Sequence, residues 1–199
     1  MLEEVKKYCE DRIAEFDQIH SDRKRDLEKI GGYIKQSDQP NIIFVCTHNS
    51  RRSQLSQVWA TVAAQYYKLV SAHFHSSGTE STAFHPNAIN ALKRVGFKIE
   101  IEEKAENPVY SINFGSEKTI KSFSKTIDHN SLPESNFAAI MTCGHAEENC
   151  PFLPGAELRI PITYEDPKIS DGTSKVEKVY DERCKQIARE MLYLIEKTF

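Results

Sequence analysis

The run "NIIFVC", Asn41 to Cys46, constrains the fold more than any other stretch of the chain. It is short, β-branched and apolar almost throughout, which suits a parallel strand covered on both faces. A polar loop follows, and then "QLSQVWATVAAQYYKL" places Leu55, Val58 and Val62 on one side of a helix that opens at Ser50 or a neighbour. The order strand, loop, helix then repeats. "SAHFHSSG" reads as a second strand ending in a glycine turn, and "HPNAINALKRVGF" as a helix with Pro86 near its start and Gly96 at its end. "AAIMTC" and "ELRIPIT" read as further buried strands, and residues 175–199 as a helix with Tyr180, Cys184, Ile187, Met191 and Leu194 in line. This alternation predicts an α/β fold with an open, mainly parallel sheet flanked by helices, and such sheets bind ligands outside the carboxyl ends of their strands. Cys46 and Cys143 both fall at such ends.

Ahead of this pattern, Val5, Cys9, Ile13 and Phe16 recur at spacings of four and three between charges, so residues 1–38 read as an extra helical arm. The break "KQSDQP" separates it from a body spanning 39–199. Within the body, "PVYSINFGSEKTIKSFSK" alternates around Gly115 in the manner of a hairpin insertion. With 26 basic and 29 acidic residues the chain offers no overall attraction to nucleic acid or an anionic membrane, so any anion binding must be local. No apolar run is long enough to span a bilayer and the first residues lack the apolar core of a signal peptide, which leads to the expectation of a cytoplasmic protein. Five cysteines, an odd count, do not resemble a secreted disulfide framework, and a reducing compartment keeps most of them as thiols.

A loop that leaves a strand and enters a helix aims several backbone N–H groups at one point, and the helix N-terminus adds partial positive charge. That point suits a tetrahedral oxyanion. Cys46 begins the loop and Arg52 ends it, so a guanidinium can hold the anion bidentately while the sulfur touches its centre. The same field favours thiolate over thiol and makes Cys46 a candidate nucleophile. Ser53 is placed to donate a hydrogen bond to that sulfur, whereas the Arg51 side chain is expected to point to solvent.

"VCTHNSRRSQ" resembles the phosphate-binding loop of the low-molecular-weight protein tyrosine phosphatases and of the thioredoxin-coupled arsenate reductases built on that fold, which share C-x5-R-S. The resemblance extends over roughly residues 40–199. It implies a nucleophile at Cys46, an oxyanion-binding loop of Thr47, His48, Asn49, Ser50, Arg51 and Arg52, and a supporting hydroxyl at Ser53. The chain departs from the family pattern at His48, where glycine is usual, and at Arg51, where cysteine is frequent. Displacement by a thiolate also needs an acid for the leaving oxygen, and "YEDPKISDG" offers Glu165 and Asp166. The family's acid lies in an Asp-Pro dipeptide late in the chain, which selects Asp166.

"MTCGHAEENCPFLPG" separates the two branches of that family, because a simple phosphatase needs neither Cys143 nor Cys150. If Cys143 lies beside Cys46, its sulfur can attack a covalent adduct there, and Cys150 can attack the resulting disulfide. Arsenate reductases of this class carry two cysteines at this separation in a similar segment, followed by proline as in Cys150-Pro151. The resemblance therefore implies reduction of arsenate to arsenite, regeneration by thioredoxin, and no metal or other cofactor. The alternative is a phosphatase acting through a phosphocysteine. A third reading, a quiet phosphate-binding or docking module, rests on His48 and the helical arm. Cys9 and Cys184 lie on apolar helix stripes and read as packing residues, and His73 and His75 share one strand face.

Overall fold

In the computed structural model, which describes residues 1–115, 119–149 and 153–199, the apolar run is strand β1 (Asn41–Cys46), buried from Ile42 onward. Its composition follows from its place. Ile42 and Phe44 enter one core cluster while Ile43, Val45 and Cys46 enter another on the opposite face, so neither side meets water. Two helices precede it, α1 (Glu3–Ile13) and α2 (Ser21–Gln36), and helix α3 (Arg52–Tyr66) follows it. Next come β2 (His73–Gly78) and α4 (Pro86–Val95), the latter closed by Gly96 at φ 112°, a left-handed cap suited to glycine. The chain continues through β3 (Lys98–Glu103), β4 (Val109–Asn113) and β5 (Ile120–Ser122). It then returns to the body through β6 (Phe137–Met141), the short helix α5 (Gly144–Asn149), β7 (Ala156–Pro161) and the long helix α6 (Val176–Glu196).

The main sheet has the order β2-β1-β6-β7 and all its pairings are parallel, as the strand-helix alternation predicts. Cys46 pairs with Gly78 and Val45 with Met141, so the ends of β1, β2 and β6 emerge side by side. Thr142 extends this edge, its N–H donating to the Val45 carbonyl at 2.7 Å.

The expected hairpin is present as β4 and β5, flanking Gly115, and β3 joins it in an antiparallel sheet of order β3-β4-β5. The arm is broken into α1 and α2 by a 3-10 turn at Phe16–Gln18. Both helices lie against the body: Val5, Cys9, Leu27, Ile30 and Ile34 share a core cluster with Tyr180, Cys184, Ile187 and Met191 of α6. Trp59 of α3 is fully buried there, stacked on Tyr8 at 5.3 Å and donating its indole N–H to the Cys184 sulfur at 3.2 Å. Among the described residues no helix is long and apolar enough to cross a membrane.

Candidate active site

The loop from Cys46 to Arg52 turns because Asn49 adopts a left-handed backbone, φ 45°, a conformation asparagine tolerates better than most residues. His48 does not; among the described residues only Asn49, Lys68 and Asn136 have positive φ without being glycine. Histidine at that position therefore carries no strain from a left-handed turn. Asn49 is also the loop's internal brace. Its Oδ1 accepts from the Lys125 N–H at 2.9 Å and from Gln54 Nε2 at 3.2 Å, and its Nδ2 donates to Ser53 Oγ at 2.8 Å. Since Ser53 Oγ already accepts from Asn49, its own proton is left for the Cys46 sulfur, 3.1 Å away. The expected hydroxyl-to-sulfur contact is in place, and Cys46 is 3 % exposed.

The outside of the loop is strapped by residues 123–125. Gln54 Nε2 donates to the Phe123 carbonyl at 2.8 Å, and Ser124 Oγ donates to the His48 carbonyl at 2.9 Å. Gly78 closes the other side: a Cβ built there would lie 2.5 Å from Glu80 O, 2.6 Å from Thr47 O and 2.7 Å from Asn49 N, so only glycine fits beneath the loop. Ser50 Oγ donates to the Ala83 carbonyl at 2.7 Å. The His48 ring reaches outward, its Nε2 3.3 Å from Glu80 Oε2.

Arg52 is the first residue of α3, where the helix N-terminus reinforces its charge. Its Nη2 donates to Asp166 Oδ2 at 2.6 Å and its Nη1 to the Tyr164 carbonyl at 3.1 Å, while its Nε is buried with no hydrogen-bond partner. Asp166 begins a 3-10 turn, Pro167–Ser170, and its Oδ1 accepts from the Lys168 N–H at 3.0 Å. Glu165 instead extends away, its side chain 93 % exposed and 3.3 Å from Arg183. Cys46, His48, Ser50, Arg51, Arg52 and Asp166 line one small cavity.

Arg51 corrects an expectation. Its side chain is only 11 % exposed rather than directed to solvent, with Nε donating to Tyr180 Oη at 2.6 Å and Nη2 to Asp171 Oδ2 at 2.8 Å. Tyr180 Oη in turn donates to Asp171 Oδ1 at 2.8 Å, which also receives Asn87 Nδ2 at 3.0 Å. Burial opposes ionisation of Asp171, yet the bonds from Tyr180 and Asn87 and the Arg51 guanidinium hold its carboxyl below the ordinary value. His85 stacks on the Tyr180 ring, and burial followed by the Arg51 charge lowers its pKa. Sequence reasoning missed this group. Tyr180 sits in an apolar helix stripe and reads as core, which its ring is; only the polar tip of such a residue carries the further signal.

Cys143 follows β6 and is 1 % exposed. Its sulfur lies 3.5 Å from Thr47 Oγ1, which is also 3.4 Å from His145 Nδ1, and it accepts the Ala146 N–H at 3.3 Å. Cys150 lies outside the described residues. The other two cysteines are unlike these: burial pushes Cys9 and Cys184 up to about 12, as suits packing residues. His73 is exposed at the start of β2, and His75 is held 3.3 Å from Asn41 Oδ1 with its pKa pushed down to about 4 by burial. Among the described residues no group of three or more His, Cys, Asp or Glu side chains is placed to hold a metal ion.

No protein-family model matches the chain. An arsenate reductase of Halalkalibacterium halodurans is 31% identical over 134 residues, 67% of this chain and 78% of that protein. Among solved structures, an arsenate reductase in the phosphate binding state superposes with a TM-score of 0.55 at 24% identity, over 80% of this chain and 99% of that one. A low-molecular-weight protein tyrosine phosphatase from T. tengcongensis gives a TM-score of 0.55 at 16% identity, over 79% and 99% of the two chains. With its parallel sheet, its loop of Cys46 to Arg52 and a relative of this identity and coverage, the chain belongs to the arsenate reductase family of the low-molecular-weight protein tyrosine phosphatase fold.

Proposed function

We propose that this protein reduces arsenate to arsenite through a relay of three cysteines. The Cys46 thiolate attacks arsenic while the backbone N–H groups from Thr47 to Arg52 and the Arg52 guanidinium hold the oxygens. An oxyanion bound side-on to Arg52 takes Nε and Nη2, and the buried, unpartnered Nε supports that placement. Asp166 gives its proton to the departing oxygen, which leaves as water. Cys143 then attacks the Cys46 sulfur: an S–S bond forms, the S–As bond breaks, and its electron pair stays on arsenic, which leaves as arsenite. Cys150 attacks Cys143 and frees Cys46, and a dithiol reductant, proposed as thioredoxin, reduces the Cys143 to Cys150 disulfide. Such a cycle needs a thiol-reducing compartment, consistent with the cytoplasm. We treat residues 1–38 as a helical addition to a catalytic body of 39–199.

The observation that carries this reading is the Cys143 sulfur 3.5 Å from Thr47 Oγ1, on the residue next to Cys46. A phosphatase would use Cys46, Arg52 and Asp166 and leave that buried thiol idle. The test is stoichiometry after an acid quench. Cys150→Ser should release one arsenite per enzyme and stall as a Cys46 to Cys143 disulfide. Cys143→Ser should release none, while any hydrolysis of p-nitrophenyl phosphate persists. If arsenate oxidises no thiols in the wild-type protein and both variants retain full phosphatase turnover, the phosphatase reading replaces this one.

A further inference from the structure

Two adjacent arginines of the oxyanion loop grip the two ends of one short segment. Arg52 binds Asp166, which opens the turn Pro167–Ser170, and Arg51 binds Asp171, which closes it. The two bonds have different fates when an anion arrives. A bidentate oxyanion needs the Nη2 of Arg52 that Asp166 now occupies, and a carboxyl protonated to act as an acid gives up its ion pair with that guanidinium in any case. The segment bearing the acid then loses its Arg52 tie at the moment its position matters. The Arg51 tie is independent of the anion: Nε is taken by Tyr180 Oη, Nη2 by Asp171 Oδ2, and Asp171 is further fixed by Asn87 and Tyr180.

We propose that Asp171, with Arg51 and Tyr180, is a positioning residue for the acid: it keeps residues 166–171 closed over the pocket after Asp166 has been displaced from Arg52. This rests on the assignment of Asp166 as the acid. It also gives a physical role to the arginine that stands where the family often has cysteine, whose side chain could not reach as far or carry the charge Asp171 requires.

A double-mutant cycle tests it, using Asp166→Asn, Asp171→Asn and both together in the full chain. Two quantities are read: arsenite released in a single turnover, and protection of Cys46 from iodoacetamide by inorganic phosphate. Asp171→Asn should slow release by roughly ten- to a hundredfold, the scale of a misplaced catalytic group, while phosphate protection stays at the wild-type level. In the Asp166→Asn background the same change should cost nothing further, because the group it positions is already gone. Should Asp171→Asn lower the melting temperature, Tyr180→Phe removes one bond to the same carboxylate and is read in the same cycle. The inference is overturned if release is unchanged, if the two losses multiply in full, or if phosphate protection falls in step with release. A fully active Asp166→Asn protein would overturn the acid assignment itself, and that outcome is visible in the single variant alone.

Discussion

At the scale of single residues, four described cysteines are all buried yet differ in what their sulfurs face. Cys46 faces a hydroxyl donor, Cys143 a backbone N–H and Cys184 the indole N–H of Trp59, and burial nonetheless pushes Cys184, like Cys9, up to about 12. Native protein at neutral pH should therefore take up iodoacetamide at Cys46, be protected there by phosphate, and show labelling of Cys9 and Cys184 only in denaturant, as peptide masses would report. The buried thiols also set a pH dependence. Their folded values lie above the unfolded ones, so unfolding releases protons and stability falls as pH rises from about 9 towards 12. Melting temperatures at pH 8 and pH 10.5 should differ in that direction. Ser53→Ala removes the hydroxyl 3.1 Å from the Cys46 sulfur, and under the proposed thiolate nucleophile loss of that hydrogen bond should slow alkylation of Cys46 by roughly tenfold or more. Cys46, Ser53 and Arg52 could be read from the sequence because the loop holds all three within eight residues. The partners of Arg51 could not, since Asp171 and Tyr180 lie 120 and 129 positions away.

At the scale of elements, the parallel sheet was legible because its central strands are apolar on both faces and each is followed by a loop and a helix. Strand β3 was not. "KIEIEE" alternates, but lysine and glutamate are poor strand formers, and they serve here to charge the edge of a small antiparallel sheet where both faces of the strand are largely wet. The strap that leaves this sheet has a measurable duty. Ser124→Ala deletes the bond to the His48 carbonyl and the acceptor for the Thr82 N–H, 2.9 Å away, so it should lower stability by about 1–3 kcal/mol in urea and raise the phosphate concentration needed to protect Cys46. Gly78→Ala drives a methyl group into three backbone atoms, two of them in the loop at Thr47 and Asn49 and the third at Glu80. The expected result is a folded but weakened protein, with overpacking costing about 1–3 kcal/mol, and loss of phosphate protection as the loop is forced outward.

At the scale of the whole molecule, α1 and α2 share one core cluster with α6, so arm and body should unfold together. Leu27→Ala, a truncation at a fully buried site, should cost about 2–5 kcal/mol and shift circular dichroism and Trp59 fluorescence transitions alike. A separate early transition confined to one probe would contradict that coupling. The packing of the arm was not legible, because periodicity tells which face of a helix is buried and not what covers it. The parallel pairing of β1 with β6 has a consequence for descent. Since Val45 stands opposite Met141, Cys46 at the end of β1 and the residues just past Met141 are delivered to the same rim by the sheet itself, whatever their chemistry. Under the proposed relay, a hydrolase with this sheet is separated from a reductase by cysteine substitutions just past β6, with no new scaffold to invent. On that proposal, changing these cysteines alone would move a protein of this fold from one chemistry to the other while its core stayed as it is.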